Sequence, residues 1–349
     1  MGASSLVRIL LAVYGLLIAY ASLYPLEGWR DPGQSPLAFL AQEWPRQLQR
    51  FDVDINIIGY VPLGFLGVAA LQTRLRGHAA LVAATAGAFL LSLALESLQS
   101  YLPTRTASNL DLLCNTAGAA LGAALAPTVL AHLDGLRLRE RFFLQGHDID
   151  LGLVLLALWL FVQLNPATLL FGAGDLRPLV AAAAARGHAA DFFIRTEAFI
   201  SAANLVAVGL LASLLVAPGK PLRAMFAALV VAALIVKAMA FAVMMQSEAF
   251  AWLTPGAQAG LIAGFAVVLG AVALPRTARL VLAAMLVMAA TVLVNIAPTN
   301  PYLTATLKVW QQGHFLNFNG LTRLVSALWA FAALAYLMYL AARRRESSG

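Results

Sequence analysis

Long apolar runs separated by short polar connections follow one another along the whole chain. A helix needs about 20 mostly apolar residues to cross a bilayer, and open sheets cannot cross one because their edges stay unsatisfied. The pattern predicts an all-α polytopic transmembrane helix bundle of about ten spans. The ten windows lie at about 6–25, 55–72, 79–99, 109–131, 151–171, 197–216, 222–245, 257–275, 279–297 and 321–342.

The composition excludes an ordinary soluble domain. Hydrophobic residues make up 61% of the 349 positions and charged residues 11%, against roughly 45–50% and 25% in soluble proteins. The single cysteine excludes a disulfide framework and a cysteine-based zinc cluster. The chain contains no P-loop, GxSxG or HExxH motif, which removes the common nucleotide-driven and hydrolase explanations.

The net charge of +7 is distributed unevenly between the two sides of the predicted membrane. Alternate connections, starting with the N-terminus, carry 13 basic and five acidic residues, whereas the opposite connections carry nine basic and 11 acidic residues. The positive-inside rule therefore predicts that both termini are cytoplasmic. The concentration of the basic residues on one predicted side also argues against a nucleic-acid surface. The first window could instead be a signal peptide, but its apolar run is long enough to span.

The spans group into three segments. Residues 1–131 hold four spans, residues 151–275 hold four more, and residues 276–349 hold two further spans joined by an outer aromatic-rich connection at 302–318. The first two segments share an outer proline after their first span and small residues in their fourth. These features favour a parallel duplication of a four-helix unit, a repeat of the kind seen in transporters. The alternative is a chance likeness between apolar helices.

Polar residues inside the spans collect at one depth. Ionisable groups within a membrane usually face the bundle interior or an aqueous cavity. Here they stand at the predicted outer ends of spans two, three and four and in the turn between the last two. The sequence predicts an outward-facing polar site formed by Asp54, Asn56, Tyr60, Glu96, Gln99, Arg105, Asp111 and Asn115.

The same residues carry a family resemblance over about residues 6–130. The motifs Asp54-x-Asn56-x-x-x-Tyr60-x-Pro62, Glu96-x-x-Gln99 and Arg105-x-x-Ser108-x-x-Asp111-x-x-x-Asn115 are similar to those of the VanZ-like family of bacterial membrane proteins. That family is named for a protein associated with low-level resistance to the glycopeptide teicoplanin. The resemblance implies a role in the cell envelope and a location in the bacterial cytoplasmic membrane, but it implies no reaction.

Two chemical interpretations of the site stay open at this stage. Glu96 and Asp111 could act as acid or base catalysts with Arg105 beside them, while Asp54, Asn56, Tyr60, Gln99 and Asn115 bind a substrate. Alternatively, Arg105 forms a structural ion pair with Glu96 or Asp111 and closes the bundle. We expect no metal, since no histidine stands at ligand spacing and Arg105 would compete with a cation. We expect no other cofactor.

Lys237 is the one basic residue predicted near the middle of a span. A lysine at that depth is costly and suggests function, so it joins the predicted binding residues. It could pair with Glu197 or extend towards the interface.

Three functions are compatible with these patterns. The favoured one is a protein that binds or modifies a membrane lipid, such as a lipid-linked envelope precursor, at the outer leaflet. The second is a transporter or flippase, which would need polar residues along a path to the cytoplasmic side. The third is an accessory protein of an envelope complex, in which the polar residues stabilise the bundle.

Overall fold

The fold was analysed in a computed structural model that describes residues 5–44, 50–75, 77–136, 138–177, 189–244, 249–298, 300 and 316–346. Helices dominate these residues, as expected for an apolar chain that must satisfy its backbone internally. The helices are α1 (Ser5–Leu23), a short 3-10 helix (Ala38–Ala41), α2 (Arg50–Leu71), α3 (His78–Gln99), α4 (Asn109–Leu136), α5 (Leu138–Phe142), α6 (His147–Val162), α7 (Ala190–Leu215), α8 (Leu222–Met244), α9 (Pro255–Ala271), α10 (Arg276–Ile296) and α11 (Leu316–Glu346). The predicted all-α polytopic bundle is confirmed.

Eight of the described helices are long and apolar enough to cross a membrane: α1 to α4, α7, α8, α10 and α11. The apolar helix α9 has 17 residues and α6 has 16. Ten full-length spans were expected, so two of the predicted ten are shorter than anticipated.

The predicted fifth span at 151–171 is wrong in its second half. Helix α6 ends at Val162, and the chain continues without helix through residues 163–177. The cause lies in Asn165-Pro166, because proline lacks an N–H and its ring disfavours helical geometry in the residue before it. The Asn165 side chain then accepts the N–H of Ala167 at 2.8 Å and forms a turn.

The first compact unit is Met1–Arg139. Within it α2 packs most extensively on α4, and α3 contacts both helices. The close approach depends on glycine: a Cβ atom on Gly122 would lie 1.9 Å from the carbonyl oxygen of Val61. Helix α1 packs against α2 and α3, and Tyr14 donates a 2.9 Å hydrogen bond to the Gly59 carbonyl.

The second compact unit is Glu140–Gly349. Its most extensive helix contact joins α7 and α9, with α10 on α7 and α11 on α6 and α10. Gly260 and Gly264 of α9 face Ala198, Ser201 and Ala202 of α7. The second and fourth helices of each predicted repeat thus meet through small residues, and the duplication itself stays a prediction. Most of the predicted aromatic-rich connection at 302–318 lies outside the described residues.

Candidate functional site

Three helix ends of the first unit bring polar side chains together, as the sequence pattern indicates. These helix ends are the beginning of α2, the end of α3 and the beginning of α4, and the turn at 100–108 joins the last two. We call this region the polar end of the first unit. It contains Asp52, Asn56, Tyr60, Ser92, Glu96, Gln99, Arg105, Ser108, Asp111 and Asn115.

Glu96 lies at the centre of this end and is 3% exposed. Its Oε2 atom accepts a 2.9 Å hydrogen bond from the backbone N–H of Ser108, the residue before α4. The Ser108 hydroxyl in turn accepts the N–H of Asp111 at 3.3 Å. Carboxylates and hydroxyls at these positions stabilise a helix beginning. Glu96 therefore fixes α4 against α3, whatever else it does.

Asp111 is half-buried in the first turn of α4 and lies within hydrogen-bonding reach of the Asn56 side chain. Its electrostatic neighbours include Asp52 on α2 and Glu96 on α3. Three acidic groups from three helices thus share this end. Such a group of carboxylate oxygens is suited to accept hydrogen bonds from the donor groups of a ligand.

Asp52 is the residue that the sequence reasoning missed, and Asp54 lies outside the cluster. Both residues are exposed, but Asp54 stands two residues, about 200°, from Asp52 around α2. Residues four apart share a helix face, so Asp52, Asn56 and Tyr60 line up. The spacing of four residues between Asp52 and Asn56 was the sequence signal for Asp52. It was overlooked because Asp54 lies closer to Asn56 in the sequence.

Arg105 and Gln99 hold the end of α1. Arg105 donates from Nε to the Tyr24 carbonyl at 2.9 Å and from Nη2 to the Ala21 carbonyl at 3.3 Å. Gln99 donates to the carbonyl and hydroxyl oxygens of Ser22, both at 2.9 Å. The last carbonyl groups of a helix lack hydrogen-bond donors within the helix, and the side chains of Arg105 and Gln99 provide such donors.

The ion pair between Arg105 and either carboxylate, which one of the two interpretations required, does not form. Among the described residues, no ion pair within 4 Å joins Arg105 to Glu96 or Asp111, because the guanidinium is directed towards α1. Burial lowers the pKa of the Arg105 guanidinium, and the nearby Glu96 charge acts in the opposite direction. Arg105 thus remains an electrostatic neighbour of Glu96 without contacting it.

A buried polar layer lies beneath the carboxylates. Asn115, 5% exposed, donates to the Ser92 hydroxyl at 3.0 Å, and Tyr60 also lies within hydrogen-bonding reach of Ser92. The Asn115 amide oxygen has no partner within the described part of the chain. Since buried polar atoms are rarely left unpaired, this oxygen is available to a donor from a ligand or a water molecule.

Lys237 belongs to the second unit, whereas the residues with which it was grouped in the predicted site belong to the first. It is 1% exposed, and its Nζ atom donates to the carbonyl oxygens of Asn165 and Thr168, both at 2.7 Å. Within the described residues, no ion pair within 4 Å joins it to Glu197, although the two charges interact at longer range. Lys237 holds the chain after α6 in place.

No group of three His, Cys, Asp or Glu side chains in the described ranges is arranged to hold a metal ion. Cys114, the single cysteine, is buried.

Comparison with known proteins supports the motif resemblance. Residues 9–131 match the family model described as VanZ/LLP1. The match covers the four long helices of the first unit and leaves the second unit outside it. No curated protein and no solved structure matches the chain.

Proposed function

We propose that the VanZ-like first unit binds the polar head of an envelope lipid or a lipid-linked glycan. The observation that carries this proposal is the meeting of Asp111 and Asn56 beside Asp52 at the polar end. Both Asp111 and Asn56 are half-buried, so they are reachable and yet partly shielded from water. Hydrogen bonds to charged groups in such places are stronger than those on open surfaces.

The ligand would approach from the outer leaflet of the bacterial cytoplasmic membrane. The excess of basic residues marks the connection between α2 and α3 as cytoplasmic, and the polar end is at the opposite ends of those helices. A lipid head is present at that depth, whereas a soluble ligand would have to be captured from outside the cell.

The chemistry of this end favours hydroxyl donors over phosphate. Asp52 and Asp111 contribute acceptors and negative charge, both of which suit the hydroxyls of a sugar or polyol and repel an anion. The guanidinium of Arg105 is the natural phosphate ligand in this region. Its Nε and Nη2 groups are engaged by the carbonyls of Tyr24 and Ala21.

Glu96, Gln99 and Arg105 act as positioning residues in this proposal. Glu96 holds the beginning of α4, while Gln99 and Arg105 hold the end of α1. Binding requires no bond to be broken, so the proposal assigns no chemical step to Glu96.

The packing of the opposite half of the first unit argues against a transport path through it. Val68, Ala80, Ala84, Ala123 and Ala126 form a buried apolar cluster between α2, α3 and α4. A path for a polar head would need polar side chains in place of this cluster.

The proposal is tested by complementation of a deletion strain. Asp111→Asn keeps the shape of the side chain and removes its charge, and Asp54→Asn makes the same change at an exposed position on the same end. We expect Asp54→Asn to restore resistance to cell-wall antibiotics, teicoplanin included, and Asp111→Asn to fail. Membrane abundance of both variants, measured by immunoblot, should equal that of the wild type.

Two outcomes would contradict the proposal. Full complementation by Asp111→Asn would remove Asp111 from function. Loss of the Asp111→Asn protein from the membrane, with Asp54→Asn unaffected, would favour the accessory role, in which these residues stabilise the bundle.

A further inference from the structure

The second unit contains a buried non-helical segment, residues 163–177, which we call the buried loop. Gln163 and Phe171 within it are fully buried. Irregular backbone at membrane depth is tolerated where it is buried in protein or lines a cavity, because its polar groups need partners. Here Phe171 donates its N–H to the Gln163 side chain at 3.1 Å and accepts from the Trp159 indole at 3.3 Å.

Helices α8, α10 and α11 form hydrogen bonds with the backbone of the buried loop. Lys237 of α8 binds the carbonyls of Asn165 and Thr168. The Asn295 side chain of α10 donates to the Gly174 carbonyl at 2.7 Å. The Gly174 N–H donates to the Ser326 carbonyl of α11, also at 2.7 Å. These hydrogen bonds indicate that the buried loop has one defined conformation.

The buried loop forms one wall of a cavity whose other walls come from α7, α10 and α11. The cavity offers about 50 Å³ to the centres of water-sized molecules. Part of its lining is apolar, from Phe193, Ile200 and Val294. The polar part of the lining includes the Asp175–Arg177 ion pair, Thr196, Glu197 and Ser326.

Glu197 is the buried acid of this cavity, and its carboxylate lies against Gly256 in the first turn of α9. It is 7% exposed, and a hydrogen bond from Thr254 is its described side-chain partner. In the described part of the chain no cation lies within 4 Å of it, since Lys237 is directed to the loop carbonyls and Arg177 is paired with Asp175 at 2.6 Å. A buried carboxylate without an ion pair is costly unless a ligand or a proton neutralises it.

Ser326 provides a second, independent observation. It is 2% exposed and lines the same cavity, and its hydroxyl has no hydrogen-bond partner among the described atoms. A buried hydroxyl is usually satisfied by protein or by a bound molecule. The cavity therefore offers one carboxylate and one unused hydroxyl, with apolar surface beside them.

We propose that this cavity binds the ammonium group of a small primary amine. The ammonium would donate to Glu197 and to hydroxyl oxygens of the lining, while its methylene groups rest on the apolar wall. An ammonium ion carries three donors and needs several acceptors, whereas a metal ion would require more charged oxygen ligands than one carboxylate supplies. The amine is either a free molecule or the head of an aminophospholipid such as phosphatidylethanolamine.

The test uses the full chain in nanodiscs of phosphatidylglycerol, which has no amine. Ethanolamine is added, and the thermal unfolding midpoint is measured against ethylene glycol, its uncharged analogue. A ligand that binds the folded state raises the midpoint. We expect ethanolamine to raise it, ethylene glycol to leave it unchanged, and Glu197→Gln to weaken the apparent affinity about tenfold or more.

Two further variants separate loss of the site from loss of the fold. Asp191→Asn changes an exposed acid on the same helix, which is paired with Arg195, and should respond like the wild type. Ala167→Phe leaves Glu197 intact and fills the cavity from the buried loop. It should abolish the response.

The source of the amine is read from a second set of nanodiscs that contain phosphatidylethanolamine. A raised midpoint there, with little further effect of ethanolamine, identifies the lipid; an unchanged midpoint identifies a free amine. The proposal is overturned if ethylene glycol matches ethanolamine, if Glu197→Gln or Ala167→Phe keeps the full response, or if neither amine source shifts the midpoint.

Discussion

Replacing Gly118 by alanine should separate α2 from α4 directly beneath the polar end. A Cβ atom on Gly118 would lie 2.2 Å from the carbonyl oxygen of Ile57 and 2.9 Å from its carbonyl carbon and its Cα. Ordinary contacts of this kind are 3.4 Å or longer. The contacting atom is backbone and cannot rotate away, so the helices must move apart by about 1 Å.

The expected cost follows from two opposing effects. Overpacking in a close contact destabilises by about 1–3 kcal/mol, and a backbone clash belongs at the upper end of that range. Alanine in a helix interior recovers about 0.5–1 kcal/mol relative to glycine. The net expectation is a loss of about 2 kcal/mol in the free energy of unfolding. Because Ile57 adjoins Asn56, the contact between Asn56 and Asp111 should also be lost.

The assay is denaturant unfolding of the purified chain in detergent, with Gly87→Ala as the control. Gly87 lies in α3, and nothing lies within 4 Å of the position of its Cβ. The control should be as stable as the wild type or slightly more so. If Gly118→Ala is also as stable as the wild type, or if Gly87→Ala loses as much, the packing of α2 on α4 described above is incorrect.

Two other substitutions test the side chains that hold backbone carbonyls. Arg105→Gln should lower the free energy of unfolding by about 2 kcal/mol, since it removes charged hydrogen bonds to the end of α1. Faster proteolysis after Tyr24 would accompany this loss, and unchanged proteolysis would contradict it. Lys237→Met keeps the length of the side chain and leaves the carbonyls of Asn165 and Thr168 without their donor. Hydrogen exchange should then rise within residues 163–177, and equal exchange in both proteins would show that Lys237 does not hold the buried loop.

The helices were largely predictable because hydrophobic run length is a local property of the sequence. The C-terminal ends of α3 and α7 agree closely with the predicted windows. The early end of α6 had a local signal in Asn165-Pro166, but the apolar residues beyond it extended the predicted helix. Those residues are apolar because they are buried in protein, and hydropathy alone cannot distinguish that burial from lipid contact.

The convergence of three helix ends at the polar end was also predictable, since each end carries its own polar residues. The partners of those residues were not. One interpretation paired Arg105 with a carboxylate by charge, but Arg105 binds carbonyls of α1 because the turn at 100–108 meets that helix. Asp52, and not Asp54, shares a face of α2 with Asn56 because the two residues are four apart. That spacing can be read directly from the sequence.

The central claim is that Asp111, with Asn56 and Asp52, holds a hydroxyl-bearing lipid head at the polar end. The most direct test is mass spectrometry of the lipids that copurify with the wild type, with Asp111→Asn and with Asp54→Asn. The wild type and Asp54→Asn should both enrich the same glycolipid or polyol lipid over its share of the membrane, and Asp111→Asn should lose that enrichment. The same lipid profile in all three proteins would contradict the claim.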